Sequence, residues 1–172
     1  MNKIPVGVLA ATGTVGQRFV QLLENHPWFE VVVVTGSDRT VGQTYGEAVS
    51  WRMGGNIPSA TSKLTIVPTS AELDIAGTPP VVFSALPTDD ARHWEPLLAA
   101  AGYAVVTNTS VFRMTPTVPL LIPEINPDHT NLIPAQQEKR KWPGFIVASP
   151  HCSPTSAILP MKVVQDAFGV AA

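Results

Sequence analysis

One cysteine stands in 172 residues. A lone thiol excludes an internal disulfide and a cysteine-built metal cluster, and it fits a reducing compartment. No metal ligand set is expected. Charge is sparse as well: 14% of residues are Asp, Glu, Lys or Arg, with 11 basic against 13 acidic and a net charge of -2. Without a basic excess there is no footprint for nucleic acid, and without an acidic block none for a basic partner. No run approaches the roughly 18 apolar residues of a membrane-spanning helix. The opening Met1-Asn2-Lys3-Ile4-Pro5 lacks the apolar segment of a secretory signal. These absences lead to the expectation of a cytoplasmic protein that engages a small molecule, with no nucleic-acid or membrane partner. What is present is a 45% hydrophobic composition, enough for one domain's core, and 17 prolines, about twice the ordinary ~5%.

The order of elements is α/β. Val6 to Ala10 is a short apolar run that stops at the small-residue loop Ala11-Thr12-Gly13-Thr14. From Val15 the period becomes helical, with Val15, Phe19, Leu22 and Leu23 on the expected apolar face and Gln17, Arg18, Gln21 and Glu24 on the polar one. Pro27 ends that helix, and Phe29 to Val34 reads as a buried parallel strand. Residues 36–55 read as a loop with a short helix near Tyr45. Further strands are expected at 64–67, 80–86, 103–107 and 145–149. Thr88 is the expected N-cap of a helix ending at Gly102. Residues 115–143 read as an irregular Pro-rich stretch, and a last helix is expected over 153–168 with a kink at Pro160. Strands alternating with helices, each strand nearly all apolar, predict a Rossmann-like doubly wound parallel sheet.

Ligands in such a sheet sit beyond the carboxyl ends of the strands, so the strand-end loops carry the chemistry. After the first strand, Gly13 and Gly16 at a helix start suit the close approach of a pyrophosphate, with a ligand-free tight turn as the alternative, and Gly16 would also allow close packing of helix on strand. Ala10 stands where a third glycine is expected; if its φ is positive, alanine there costs on the order of 1–2 kcal/mol. After the second strand come Ser37, Asp38, Arg39 and Thr40. An acidic residue here selects NAD, whereas Arg39 with its hydroxyl neighbours favours the 2′-phosphate of NADP with Asp38 pointing inward; a merely solvated loop is the alternative. Cys152 opens the last helix, where a thiolate is favoured; a small buried hydrophobe is the other reading. His151 is its neighbour, and adjacent side chains are expected to point apart. Asn108 and Arg113 follow the fifth strand and suit either an anion or a surface ion pair.

Taken together these stretches resemble the N-terminal half of aspartate-semialdehyde dehydrogenase in its fungal and archaeal branch. Val6 to Gln17 resembles the family's nucleotide loop, Ser37 to Gly42 with Tyr45 its NADP-phosphate loop, and Val82 to Pro87 a cofactor-side strand end. Asn108 to Met114 and Pro119 to Asn126 resemble the stretch carrying its phosphate-binding Arg, and Cys152-Ser153 falls at its nucleophile. The resemblance implies an enzyme that reduces aspartyl phosphate to aspartate semialdehyde through a Cys thioester, early in lysine, threonine and methionine synthesis. It implies Cys152 as nucleophile, and Asn108 and Arg113 as binding substrate and phosphate. It implies NADP held by Thr12, Gly13, Thr14, Val15 and Gly16 at the pyrophosphate, by Ser37, Arg39 and Thr40 at the 2′-phosphate, and along Ser84 and Leu86. Residues 1–150 would form the dinucleotide-binding domain and 151–172 the start of a catalytic domain. That domain would carry the family's acid-base His and carboxylate-binding Arg, outside this chain, and most of the contacts of a homo-oligomer. Ala10 and His151 depart from the family's Gly and Asn. The alternatives are an NADP-binding module without catalysis, or a related reductase of N-acetyl-glutamyl phosphate or malonyl-CoA.

Overall fold

The computed structural model describes residues 2–77 and 80–169. Among the described residues six strands make one sheet: β1 (Ile4–Leu9), β2 (Phe29–Thr35), β3 (Ile66–Val67), β4 (Val81–Ser84), β5 (Ala104–Thr107) and β6 (Phe145–Ala148). Every neighbouring pair is parallel, and the order across the sheet is β3-β2-β1-β4-β5-β6. Chain order therefore reverses between β1 and β4, and a crevice opens at that switch point. The helices are α1 (Thr14–Leu23), α2 (Tyr45–Ala48), α3 (Thr88–Ala100), α4 (Leu132–Arg140) and α5 (Cys152–Phe168).

Side chains of successive strand residues leave opposite faces of the sheet, and two cores result. Val6 and Val8 pack with Val20 of α1, Val34 and Tyr45 on one face. Leu9, Val82 and Val105 pack with Leu98 of α3 and Ile146 on the other. Val6, Val8, Leu9, Val82, Val105 and Ile146 have no exposed surface, and burying each contributes about 1.5–3 kcal/mol. The edge strand β6 is covered from α4. Gln136 accepts from Ile146 N at 2.7 Å and donates to Ile146 O at 2.9 Å, so an otherwise open strand edge is paired by a side chain.

Several local expectations change. On α1 the buried residues are Gly16, Gln17, Val20 and Leu23, while Val15 and Leu22 are exposed. Gln17 is buried because its amide is fully bonded: it donates to Thr12 O and Ser50 O and accepts from Arg52 N. Thr88 is the first residue of α3 and does not cap it; Pro87 holds the cap position without a side-chain bond. Strands β3 and β4 are shorter than the apolar runs that contain them. The Pro-rich stretch is not irregular throughout, since it contains a 3-10 turn, Pro127–Asn131, followed by α4. Lys139 and Arg140 form the last turn of α4, Lys141 ends it in the left-handed region, and Arg140 lies over the Trp142 ring. His129 belongs to the 3-10 turn. Helix α5 starts at Cys152 and continues through Pro160, and none of its side chains is buried.

Candidate active site

The loop from β1 into α1 opens onto the crevice. Ala10 has φ of 53°, the left-handed region, so the strain expected of an alanine there is present. Gly16 is buried; a Cβ there would stand 2.6 Å from Ala11 Cα. Its glycine therefore serves the close packing of α1 on the loop, as expected of it. Gly13 occupies the cap position of α1 with no side-chain cap bond, and the first turn holds no acidic residue. That end of the helix presents amides and partial positive charge with no carboxylate in its own first turn, which fits the phosphates of a dinucleotide; Asp38 and Asp90 stand elsewhere on the cleft wall.

A cleft of about 570 Å³ lies in front of it, lined by Ala10, Thr12, Gly13, Ser37, Asp38 and Leu86 among others. Thr14 and Val15 are exposed on the adjoining turn. Arg39 is exposed but does not line the cleft, whereas Asp38 does. The Thr40 hydroxyl is bonded to Ser37 O at 3.0 Å. Ser84 is not along the cleft. It has no exposed surface and donates to Glu95 Oε1 at 2.7 Å, on the α3 side of the sheet.

A second pocket of about 390 Å³ shares the wall Ala85, Leu86 and Pro87 with the first and brings Asn108, Arg113, His151 and Cys152 together. The end of β5 and the start of α5 supply these residues. Arg113 is half-buried and makes no ion pair; among the described residues the pairs are Arg92–Asp89 and Lys162–Asp166. Its Nε donates to Ser149 O and its Nη2 to Asn108 O, both at 2.9 Å. Two backbone carbonyls thus aim a guanidinium into the pocket wall, and a positive charge without a carboxylate partner suits an anion. The Asn108 Oδ1 accepts from Ser149 Oγ at 2.9 Å, which leaves the amide NH₂ as a donor for a ligand.

Cys152 is exposed at the first position of α5. Its Sγ lies 3.9 Å from His151 Nδ1, so these neighbours do meet. The reason is capping: His151 is extended at the cap position, and its ring turns over the first turn to accept from Ser153 N at 3.3 Å. Among the described residues two titratable groups are buried with raised pKa values, and of these Glu95 escaped the sequence reading. Glu95 accepts from Ser84 and Thr107 on Oε1, its Oε2 has no partner, and burial pushes its pKa up while the two hydroxyl bonds oppose the shift. Its signal was the spacing Ala91, Glu95, Leu98, Ala99, one buried face of α3. Tyr45 donates to Ala11 O at 2.9 Å, and burial raises its pKa well above the usual value.

The family model for the semialdehyde dehydrogenase NAD-binding domain matches residues 5–133. The chain belongs to the semialdehyde dehydrogenase family. It is 45% identical over 161 residues to the aspartate-semialdehyde dehydrogenase of Archaeoglobus fulgidus, covering 94% of this chain and 46% of that one. It is 34% identical over 167 residues to the malonyl CoA reductase (NADP) of Metallosphaera sedula, covering 96% and 45%. Its fold matches the crystal structure of aspartate semialdehyde dehydrogenase with NADP from Candida albicans at a TM-score of 0.85 and 35% identity, over 98% of this chain and 48% of that one. The chain spans about half the length of the curated relatives it matches.

Proposed function

We propose that the chain is the nucleotide-binding part of an NADP-dependent aspartate-semialdehyde dehydrogenase, with Cys152 as the nucleophile. The observation that carries this reading is the shared wall Ala85–Leu86–Pro87, which puts the thiol pocket and the dinucleotide cleft side by side. Thr12, Gly13, Thr14, Val15 and Gly16 hold the pyrophosphate at the start of α1. Ser37, Arg39 and Thr40 take the 2′-phosphate, with the exposed Arg39 turning toward it. Leu86 lines the cofactor's path.

The chemistry of the second pocket follows from its donors. The Cys152 thiolate attacks the acyl carbon of aspartyl phosphate, and the carbon–oxygen bond to phosphate breaks. The phosphate departs as an anion onto the Arg113 guanidinium, with the Asn108 amide beside it. An acyl thioester remains on Cys152. When bound, NADPH supplies the hydride that converts this thioester to the aldehyde and restores the thiolate. Residues 1–150 act as the dinucleotide-binding domain. Helix α5 opens a second domain over 151–172, a reading supported by its lack of buried side chains; residues 170–172 lie outside the described ones. The complete enzyme works in the cytoplasm as a homo-oligomer; among the described residues no helix is long and apolar enough to cross a membrane.

The departing phosphate takes up one proton, which solvent can supply because Cys152 is exposed, so acyl transfer does not require the rest of the enzyme. The test is therefore available on this chain. Incubation with aspartyl phosphate should add one acyl group, located by mass spectrometry on Cys152 and lost in Cys152→Ser. Absence of the adduct, or an adduct elsewhere, would favour a binding module without catalysis. The likeness to the malonyl CoA reductase favours a second acyl donor, malonyl-CoA, and acylation by that compound alone would select it.

A further inference from the structure

We infer that Thr35, Tyr45 and Gln17 are positioning residues for the dinucleotide loop, three buried side chains that each hold one of the consecutive residues Ala10, Ala11 and Thr12. The inference rests on the reading of this loop as the NADP site. Thr35 Oγ1 accepts from Ala10 N at 3.1 Å, the Tyr45 hydroxyl donates to Ala11 O at 2.9 Å, and Gln17 Nε2 donates to Thr12 O at 2.8 Å. Two of the three clamps are fixed from behind. The Thr35 hydroxyl shares a 2.9 Å bond with Thr69, and Gln17 is tied to Ser50 O and Arg52 N. Thr35 and Tyr45 have no exposed surface, and Gln17 is 2% exposed. None of the three lines the cleft, so they act through the backbone and do not touch the ligand.

The clamps coincide with the strained position. Ala10 holds a positive φ that alanine disfavours, and it is the residue whose N–H Thr35 fixes. Backbone bonds continue the pattern, from Ala11 N to Thr35 O at 2.8 Å and from Gly13 N to Ala10 O at 3.1 Å. Glycine adopts this φ without penalty. The clamp at Thr35 should therefore matter while residue 10 is alanine and lose its importance in A10G.

The experiment compares the chain with T35V, T35S, Y45F, A10G and the double variant A10G/T35V. NADPH affinity is read from quenching of Trp94, which lines the cleft. Amide exchange across residues 10–16 is read without any cofactor. T35V and Y45F should each weaken NADPH binding on the order of tenfold and speed exchange in the loop. T35S should retain the parent affinity, and A10G should restore most of what T35V loses. A global loss of stability would not be rescued in this way. Unchanged affinity and exchange in T35V and Y45F would overturn the inference. So would an equal loss from T35V in the alanine and A10G backgrounds. If T35V does not fold, Y45F alone and combined with A10G gives the same comparison. If the parent chain binds no NADPH yet the exchange pattern holds, the cofactor reading fails and the clamps stand.

Discussion

Glu95 sits on the buried face of α3 with no exposed surface, and its two hydrogen bonds both end on Oε1. The second oxygen has no partner, so ionisation places charge on a group that water does not reach. Its pKa in the folded chain is accordingly raised above the ordinary 4.5. As pH rises past that value, the unfolded chain gives up this proton first while the folded chain keeps it. The folded state then binds more protons, and stability falls with rising pH until Glu95 ionises in the folded chain too. One such proton gives a slope of at most about 1.4 kcal/mol per pH unit. Glu95→Gln keeps the oxygen facing Ser84 and Thr107 and cannot titrate. Its amide nitrogen falls on the unpaired side, a pH-independent cost of about 1–3 kcal/mol. Urea unfolding of both proteins, followed by circular dichroism between about pH 5 and pH 8, isolates the effect in their difference. The parent should lose stability relative to E95Q as pH rises, and other carboxylates cancel. A flat difference, or a parent that gains on E95Q with rising pH, would refute the reasoning.

Gly16→Ala drives a methyl into the backbone of Ala10 and Ala11, and it should cost about 1–3 kcal/mol in urea unfolding and weaken NADP binding as the loop shifts. Arg39→Ala should lower NADP affinity on the order of tenfold and leave NAD nearly unchanged, measured by parallel titrations. Arg113→Lys gives up a fork that reaches Ser149 O and Asn108 O together; acylation of Cys152 by aspartyl phosphate should slow, while urea unfolding changes by only about 1 kcal/mol.

The sheet was readable because its strands are short apolar runs separated by helical periods, and the strand-end rule then located the loops that matter. Asn108, Arg113 and Cys152 meet in one pocket for that reason. Parity was not readable. Ser84 ends β4 next to residues that line the cleft, yet strand alternation turns it inward to Glu95. Polarity also misled where buried groups are satisfied: Gln17 faces the core because all its bonds are made inside, and Val15 and Leu22 take the exposed side. Helix α4 was hidden by its proline. Pro134 lies in its first turn, where the missing N–H has no helical partner to lose, so a residue read as a breaker is compatible with the helix start. The contact between Cys152 and His151 depends on a cap geometry that no residue spacing encodes.

The most direct test of the central reading is calorimetric titration of the chain with NADP and with NAD. The account predicts one site per chain, saturable by both cofactors and tighter for NADP, with the preference removed in Arg39→Ala. Absence of binding, or an affinity for NAD equal to or above that for NADP, would contradict it.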